Sequence, residues 1–288
     1  MARDGGRTGV SSPAQSLREY ARGIAGGLLF SLPLLYTMEV WWAGFIARPL
    51  NLLVYFAVGF LLLFGYNRYA GLHEDASWLD VAFEAVEEMG LGLLLATLLL
   101  WLLGQIDSTQ TLAEIVGKVV VEAVVVAIGI SVGASQLGGN GKQGQGMRGD
   151  RGDEGPLSLP AQLVLGACGA VLLASNVAPT EEIVMIAIES SRAKILALAL
   201  FSYLLSCLVL FYSDFHGTED QVPPEGQGPV TALLRSAVNY SVALAASAFI
   251  LWFFGRFSGM SLAVCVSQTV VLGVVASLGA AVGRLLLQ

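Results

Sequence analysis

Charge is the first thing this sequence is short of. Charged residues make up 13% of the chain against 55% hydrophobic residues, and mean hydropathy is +0.71. A soluble domain carries about 25% charge. The composition therefore excludes an ordinary water-soluble globule, and long apolar runs call for a bilayer as solvent. No basic patch forms, which excludes nucleic acid as a partner. The net charge of −7 is spread over loops and apolar segments and makes no single acidic face. Histidine is nearly absent, and His73 and His216 form no zinc motif. The three cysteines, Cys168, Cys207 and Cys265, stand far apart in apolar segments and read as small, inert core residues. With no nucleophile–base set, His cluster or metal motif, the chain is not read as an enzyme and implies no cofactor.

What is present is a series of long apolar runs. A spanning helix needs about 20 mostly apolar residues, and eight segments qualify: Ile24–Ala47, Leu50–Tyr66, Val81–Leu103, Leu112–Ala134, Ala161–Ile188, Ile195–Tyr212, Val230–Phe254 and Leu262–Leu287. None alternates as barrel strands do. The expectation is an all-α polytopic membrane protein with eight transmembrane helices. Lys and Arg concentrate in the N-terminal tail (Arg3, Arg7, Arg18, Arg22) and the central loop (Lys142, Arg148, Arg151). The positive-inside rule then places both termini in the cytoplasm.

The fourth and eighth segments align without gaps, TLAEIVGKVVVEAVVVAIGISVG from Thr111 against SLAVCVSQTVVLGVVASLGAAVG from Ser261. The third and seventh add LLLWLLGQI (Leu98–Ile106) against FILWFFGRF (Phe249–Phe257). The first and fifth match more weakly, with Thr37 over Thr180 and Glu39 over Glu182. Acidic loops containing His, GLHED (71–75) and HGTED (216–220), follow the second and sixth. These matches predict two tandem four-helix repeats. An even number of spans orients both alike, about an axis along the membrane normal. The expected divisions are a cytoplasmic tail (1–23), a first membrane repeat (24–136), a Gly-rich charged linker (137–160) and a second repeat (161–288). The linker lacks the Lys-Ser/Thr ending of a nucleotide loop, and its RGDRGD string (Arg148–Asp153) reads as solvated linker.

Ionisable groups inside spans cost about 2.5–3.5 kcal/mol each at the membrane centre, so they mark candidate sites. The strongest pair is Glu39 and Glu182, each in a Thr-x-Glu setting beside a proline, Pro33 or Pro179. Proline frees a carbonyl, and a carboxylate beside a broken helix offers oxygens suited to a hard cation. Thr37, Asn176, Thr180 and Glu181 add more oxygens. Glu114, Lys118 and Glu122 stand on one face at i, i+4, i+8 and read as a salt-bridge row or a relay. Ser77 with Asp80 has the form of a capping box, while Glu87 and Glu88 read as an acidic vestibule or a solvated helix start. The tryptophans lie near span ends as an aromatic belt. Gly129, Gly133, Gly279 and Gly283 have the spacing of close helix contacts.

The patterns LPLLYTMEVWW (Leu32–Trp42) and NVAPTEEIVMIA (Asn176–Ala187) resemble a bacterial family of integral membrane proteins of unknown function. The resemblance covers essentially the whole chain after the tail. It implies a bacterial inner-membrane location and no established activity. The reading is an ion-translocating membrane protein, a channel or secondary transporter for an inorganic cation or proton. The alternative is a structural or sensory membrane protein. The lipid bilayer is the expected partner, and homo-oligomers are left open.

Overall fold

The computed structural model describes residues 13–70, 77–136, 158–216 and 229–285, with side chains described within 20–70, 77–135, 158–210 and 233–284. The two His-containing loops and the Gly-rich linker fall outside these residues, apart from their edges. Ten helices are described: α1 (Pro13–Leu35), α2 (Met38–Ile46), α3 (Pro49–Ala70), α4 (Trp78–Leu102), α5 (Leu112–Gln136), α6 (Leu159–Ala174), α7 (Glu182–Glu189), α8 (Arg192–His216), α9 (Pro229–Phe253) and α10 (Leu262–Leu285). There is no strand among the described residues.

Six of these helices, α3, α4, α5, α8, α9 and α10, are long and apolar enough to cross a bilayer. Their ends follow from local chemistry. Ser77 and Asp80 form the reciprocal capping box of α4. Thr111 and Glu114 do the same for α5: the Thr111 N–H donates to Glu114 Oε2 at 3.0 Å, and the Glu114 N–H to Thr111 Oγ1 at 3.4 Å. At the far end of α4, Gly104 takes a left-handed φ of +69, and Gly255 after α9 takes +70. The Gln105 N–H then donates to the Leu100 carbonyl at 2.8 Å, and the Arg256 N–H to that of Leu251 at 2.9 Å. Both are glycine stops that satisfy the last carbonyls of a helix.

The other two expected spans are not continuous. The first, expected over Ile24–Ala47, is α1 and α2 with an 84° bend between them. The fifth, expected over Ala161–Ile188, is the 16-residue α6, a turn through Pro179, and α7. Helix α1 also starts at Pro13, inside the expected tail; proline is at home in a first helical turn. Apolar segments flank both breaks closely, so a window of about 20 residues averages over the short polar stretches at 36–39 and 175–182 and joins what the backbone separates.

Helix α5 is the axle of the first group: α1, α2, α3 and α4 all pack on it. Every residue from Val121 to Gly133 is buried. Helix α10 holds the same place among α6, α7, α8 and α9. The α1–α5 crossing is a glycine seam. A Cβ on Gly26 would lie 2.3 Å from Gly133 Cα, and one on Gly169 would lie 2.1 Å from the Gly279 carbonyl oxygen on α10. Such approach gives packing contacts that lipid cannot match. The two groups meet chiefly at α3 and α6. There Tyr55 stacks on Phe253 of α9 with centroids 4.0 Å apart, and the Cys168 thiol donates to the Leu62 carbonyl at 3.5 Å. One apolar core runs through both groups, while large apolar side chains such as Leu53, Leu61, Phe83, Leu94, Leu200 and Leu208 point outward.

Candidate functional site

Both helix breaks keep their backbone groups occupied. Beyond α1, Thr37 turns to extended backbone and its hydroxyl donates to the Pro33 carbonyl at 2.6 Å. The Trp41 indole N–H reaches back to the Leu35 carbonyl at 3.1 Å. Beyond α6, the Thr180 hydroxyl donates to the Val177 carbonyl at 2.9 Å. The Asn176 amide donates to the Leu172 carbonyl at 2.7 Å and to the Phe30 carbonyl of α1 at 3.1 Å. That last bond ties the two breaks to each other. The carbonyls left by the broken helices, expected as cation ligands, are thus largely taken by side chains of this same chain.

Glu39 and Glu182 do not lie within long continuous helices. Each lies in the first turn of a short helix, α2 or α7, where a carboxylate complements the positive end of the helix dipole. Glu39 is half-buried, and Glu181 and Glu182 are exposed. Helix α2 packs on α5 and α7 on α10, so the two acids stand beside separate breaks.

The acid that reaches the centre is Glu122 on α5. It is fully buried, and neither carboxylate oxygen has a hydrogen-bond partner in the protein. Gly129 and Gly133 face α1, and Glu122 lies seven residues before the first of them. It therefore occupies the same stripe of α5, turned toward the last turns of α1. Tyr55 of α3, itself buried, lies within electrostatic reach of Glu122, and its hydroxyl leans on the Val121 carbonyl at 3.4 Å. Ser175, the residue that closes α6, faces Tyr55 but makes no hydrogen bond of ordinary geometry and is fully buried. Next to it, Asn176 spends its amide group on the two carbonyls and leaves its buried Oδ1 unpartnered. A buried carboxylate, a hydroxyl and an amide oxygen without donors cost several kcal/mol together. Glu122 of α5, with Tyr55 of α3 beside it and Ser175 at the end of α6 against Tyr55, makes a candidate binding site at the meeting of three helices.

The neighbours of Glu122 in the sequence pattern do other work. Glu114 caps α5. Lys118 turns toward the α4–α5 loop and donates to the Gln105 carbonyl at 2.9 Å and to Gln110 Oε1 at 3.4 Å. In the same loop, the Thr109 hydroxyl and N–H hold the Asp107 carboxyl below the usual carboxylate range, and Lys118 adds to this. The expected salt-bridge row thus resolves into a cap, a clamp and one isolated acid. The second group repeats the clamp with a neutral residue, Gln268 donating to the Arg256 carbonyl at 3.3 Å. Toward the other end of the molecule, Glu88 is buried but has a hydrogen-bond donor. It accepts from the Asn67 amide at 2.6 Å, and Asn67 in turn accepts from the Ser131 hydroxyl at 2.5 Å. Its neighbour Glu87 is bonded by the Tyr20 hydroxyl.

Compared with known families, residues 19–287 match the model described as "Putative integral membrane protein (DUF2391)". The chain belongs to this family. No curated protein and no solved structure matches it. Membership makes this DUF2391 protein an integral membrane protein and agrees with its apolar helices. For a protein of this family the two breaks were legible from Pro33 and Pro179, whereas Tyr55 and Ser175 carried no sequence signal. Both are ordinary residues in apolar runs, and only the packing of α3, α5 and α6 gives them a carboxylate to face.

Proposed function

We propose that this protein translocates a cation or proton across a membrane, as a channel or secondary transporter, with Glu122 as the central site. The observation that carries the reading is the fully buried Glu122 carboxylate, which has no partner in the protein and lies beside two helix breaks that Asn176 ties together. Discontinuous helices near the middle of a bilayer are a recurrent setting for ion sites, and uncompensated intramembrane acids are usually functional. Glu39 and Glu182, at the starts of the short helices beside the breaks, act in this reading as approach residues that raise local cation concentration.

Two further readings belong with it. In both groups a helix and a much shorter one precede three long helices, with the same glycine stop and the same polar clamp. This supports two tandem repeats of like orientation, related by an axis along the membrane normal. The Lys and Arg distribution supports cytoplasmic termini, and the bacterial inner membrane rests on the family resemblance alone.

The test is flux into proteoliposomes across a panel of protons, alkali cations and divalent cations. Glu122→Gln keeps shape and removes the charge, and it is expected to abolish flux. Glu39→Gln and Glu182→Gln are expected to slow it roughly twofold to tenfold, as loss of electrostatic attraction does. Wild-type flux in Glu122→Gln would sink the proposal. The second reading, a structural or sensory role, draws on the Glu88–Asn67–Ser131 chain, where a buried acid is satisfied by the protein and joins three helices. It predicts no flux above that of empty vesicles.

A further inference from the structure

We infer that the Glu122 region is a single-charge site that binds one alkali-metal cation, stripped of most of its water, and discriminates against divalent cations. The inference deepens the translocation reading and uses the same site.

The argument begins with the count of charges. Glu122 brings one negative charge, while Tyr55, Ser175 and Asn176 bring neutral oxygens only. Among the described residues no group of three His, Cys, Asp or Glu side chains converges, which is the pattern divalent sites use to offset their charge. The acids nearest in the sequence pattern are committed elsewhere, Glu114 to the α5 cap and Glu88 to Asn67. A monovalent ion on Glu122 leaves the site neutral. A divalent ion leaves one uncompensated positive charge among fully buried apolar residues such as Leu34, Val121 and Val125. That costs several kcal/mol in a low-dielectric interior. Lys118, one turn earlier on α5, adds to the penalty with its own positive charge.

Next comes the kind of oxygen. Ser175 Oγ, Asn176 Oδ1 and both Glu122 oxygens are buried acceptors with no donor from the protein. Hard oxygen acceptors that no protein donor occupies solvate a small cation in place of its water, as carbonyl rings do in selective channels. A cation bound there gives the Glu122 carboxylate the partner that the protein does not supply.

Binding to the folded state alone raises thermal stability in proportion to occupancy. The experiment is therefore thermal unfolding of the purified full-length protein at constant ionic strength. Chloride salts of lithium, sodium, potassium, magnesium and calcium are titrated against choline. At least one alkali cation is expected to raise Tm saturably, and magnesium and calcium to give no increase that depends on Glu122. Glu122→Gln is expected to abolish the alkali effect. Ser175→Ala, which keeps the carboxylate, is expected to retain it with an apparent Kd raised roughly tenfold, the cost of one good oxygen ligand. No alkali effect in the wild type, an effect surviving in Glu122→Gln, or an equal divalent effect lost in that variant would overturn the inference. Flux separates this from the parent reading. Proton flux without alkali binding sinks only the inference, and alkali binding without flux sinks only the translocation reading.

Discussion

At the scale of single residues, the molecule separates acids that are used by the fold from one that is not. Glu114 and Asp80 cap helices, and Glu88 is held by Asn67, whereas Glu122 has no structural partner. The aligned position on α10 is Leu272, which is buried just as fully. Glu122→Leu is therefore expected to raise unfolding stability by about 1–4 kcal/mol, since apolar replacement of a buried charge is often stabilising. The same change is expected to abolish flux. Melting and flux on one purified variant check both, and a loss of stability would show that Glu122 holds the helices together. The i, i+4, i+8 spacing in the sequence placed Glu114, Lys118 and Glu122 correctly on one stripe. It did not show what that stripe faces. Spacing fixes direction around a helix, but the facing residues, Tyr55 and Ser175, are more than fifty residues away and look unremarkable in their own segments.

At the scale of elements, the long helices were readable almost to their ends because hydropathy and capping residues agree there. Ser77 and Asp80 mark a start, and Gly104 and Gly255 mark stops. The breaks were readable only as prolines. What turns Pro33 into an 84° bend is the set of side-chain bonds made by Thr37 and Trp41, which no hydropathy window registers. The clamp across each α4–α5 and α9–α10 turn gives a sharp comparison. Lys118→Gln copies Gln268 and is expected to leave stability within about 0.5 kcal/mol of wild type, the range of neutral substitutions. Lys118→Leu removes one of the two donors to the Gln105 carbonyl, leaving the Gln110 amide at 3.1 Å, and is expected to cost about 1 kcal/mol. Chemical or thermal unfolding of the two variants side by side checks this. Equal losses would mean that the charge of Lys118, and not its hydrogen bond, holds the turn.

At the scale of the whole molecule, α5 and α10 each gather one group of helices, and α3 and α6 join the groups into one core. Glycines recur at aligned positions of α5 and α10, where the seams leave no room for a side chain. A Cβ on Gly133 would lie 2.5 Å from Gly26 Cα, and one on Gly283 would lie 2.5 Å from the Leu165 carbonyl oxygen. The junction between groups was not legible, because stacked rings such as Tyr55 and Phe253 have no spacing rule linking them. Orientation is the remaining large-scale property. A cysteine placed at Lys142, in a background lacking Cys168, Cys207 and Cys265, is expected to resist an impermeant reagent in intact cells and to react after permeabilisation. Strong labelling in intact cells would invert the proposed orientation.

The shortness of α6 has an electrical consequence. At 1.5 Å per residue its 16 residues span about 24 Å, less than the roughly 30 Å thickness of a hydrocarbon core. Where a wall stops short, solvent and lipid headgroups reach deeper, and the membrane voltage falls over a thinner layer. A unit charge crossing the whole drop gains about 2.3 kcal/mol per 100 mV. In the translocation reading proposed above, compressing that drop beside the α6 break steepens the local field near Ser175 and Glu122. An ion entering from that side would then meet much of the voltage within its last few steps, and the polarity of the membrane itself would control how often the carboxylate is filled.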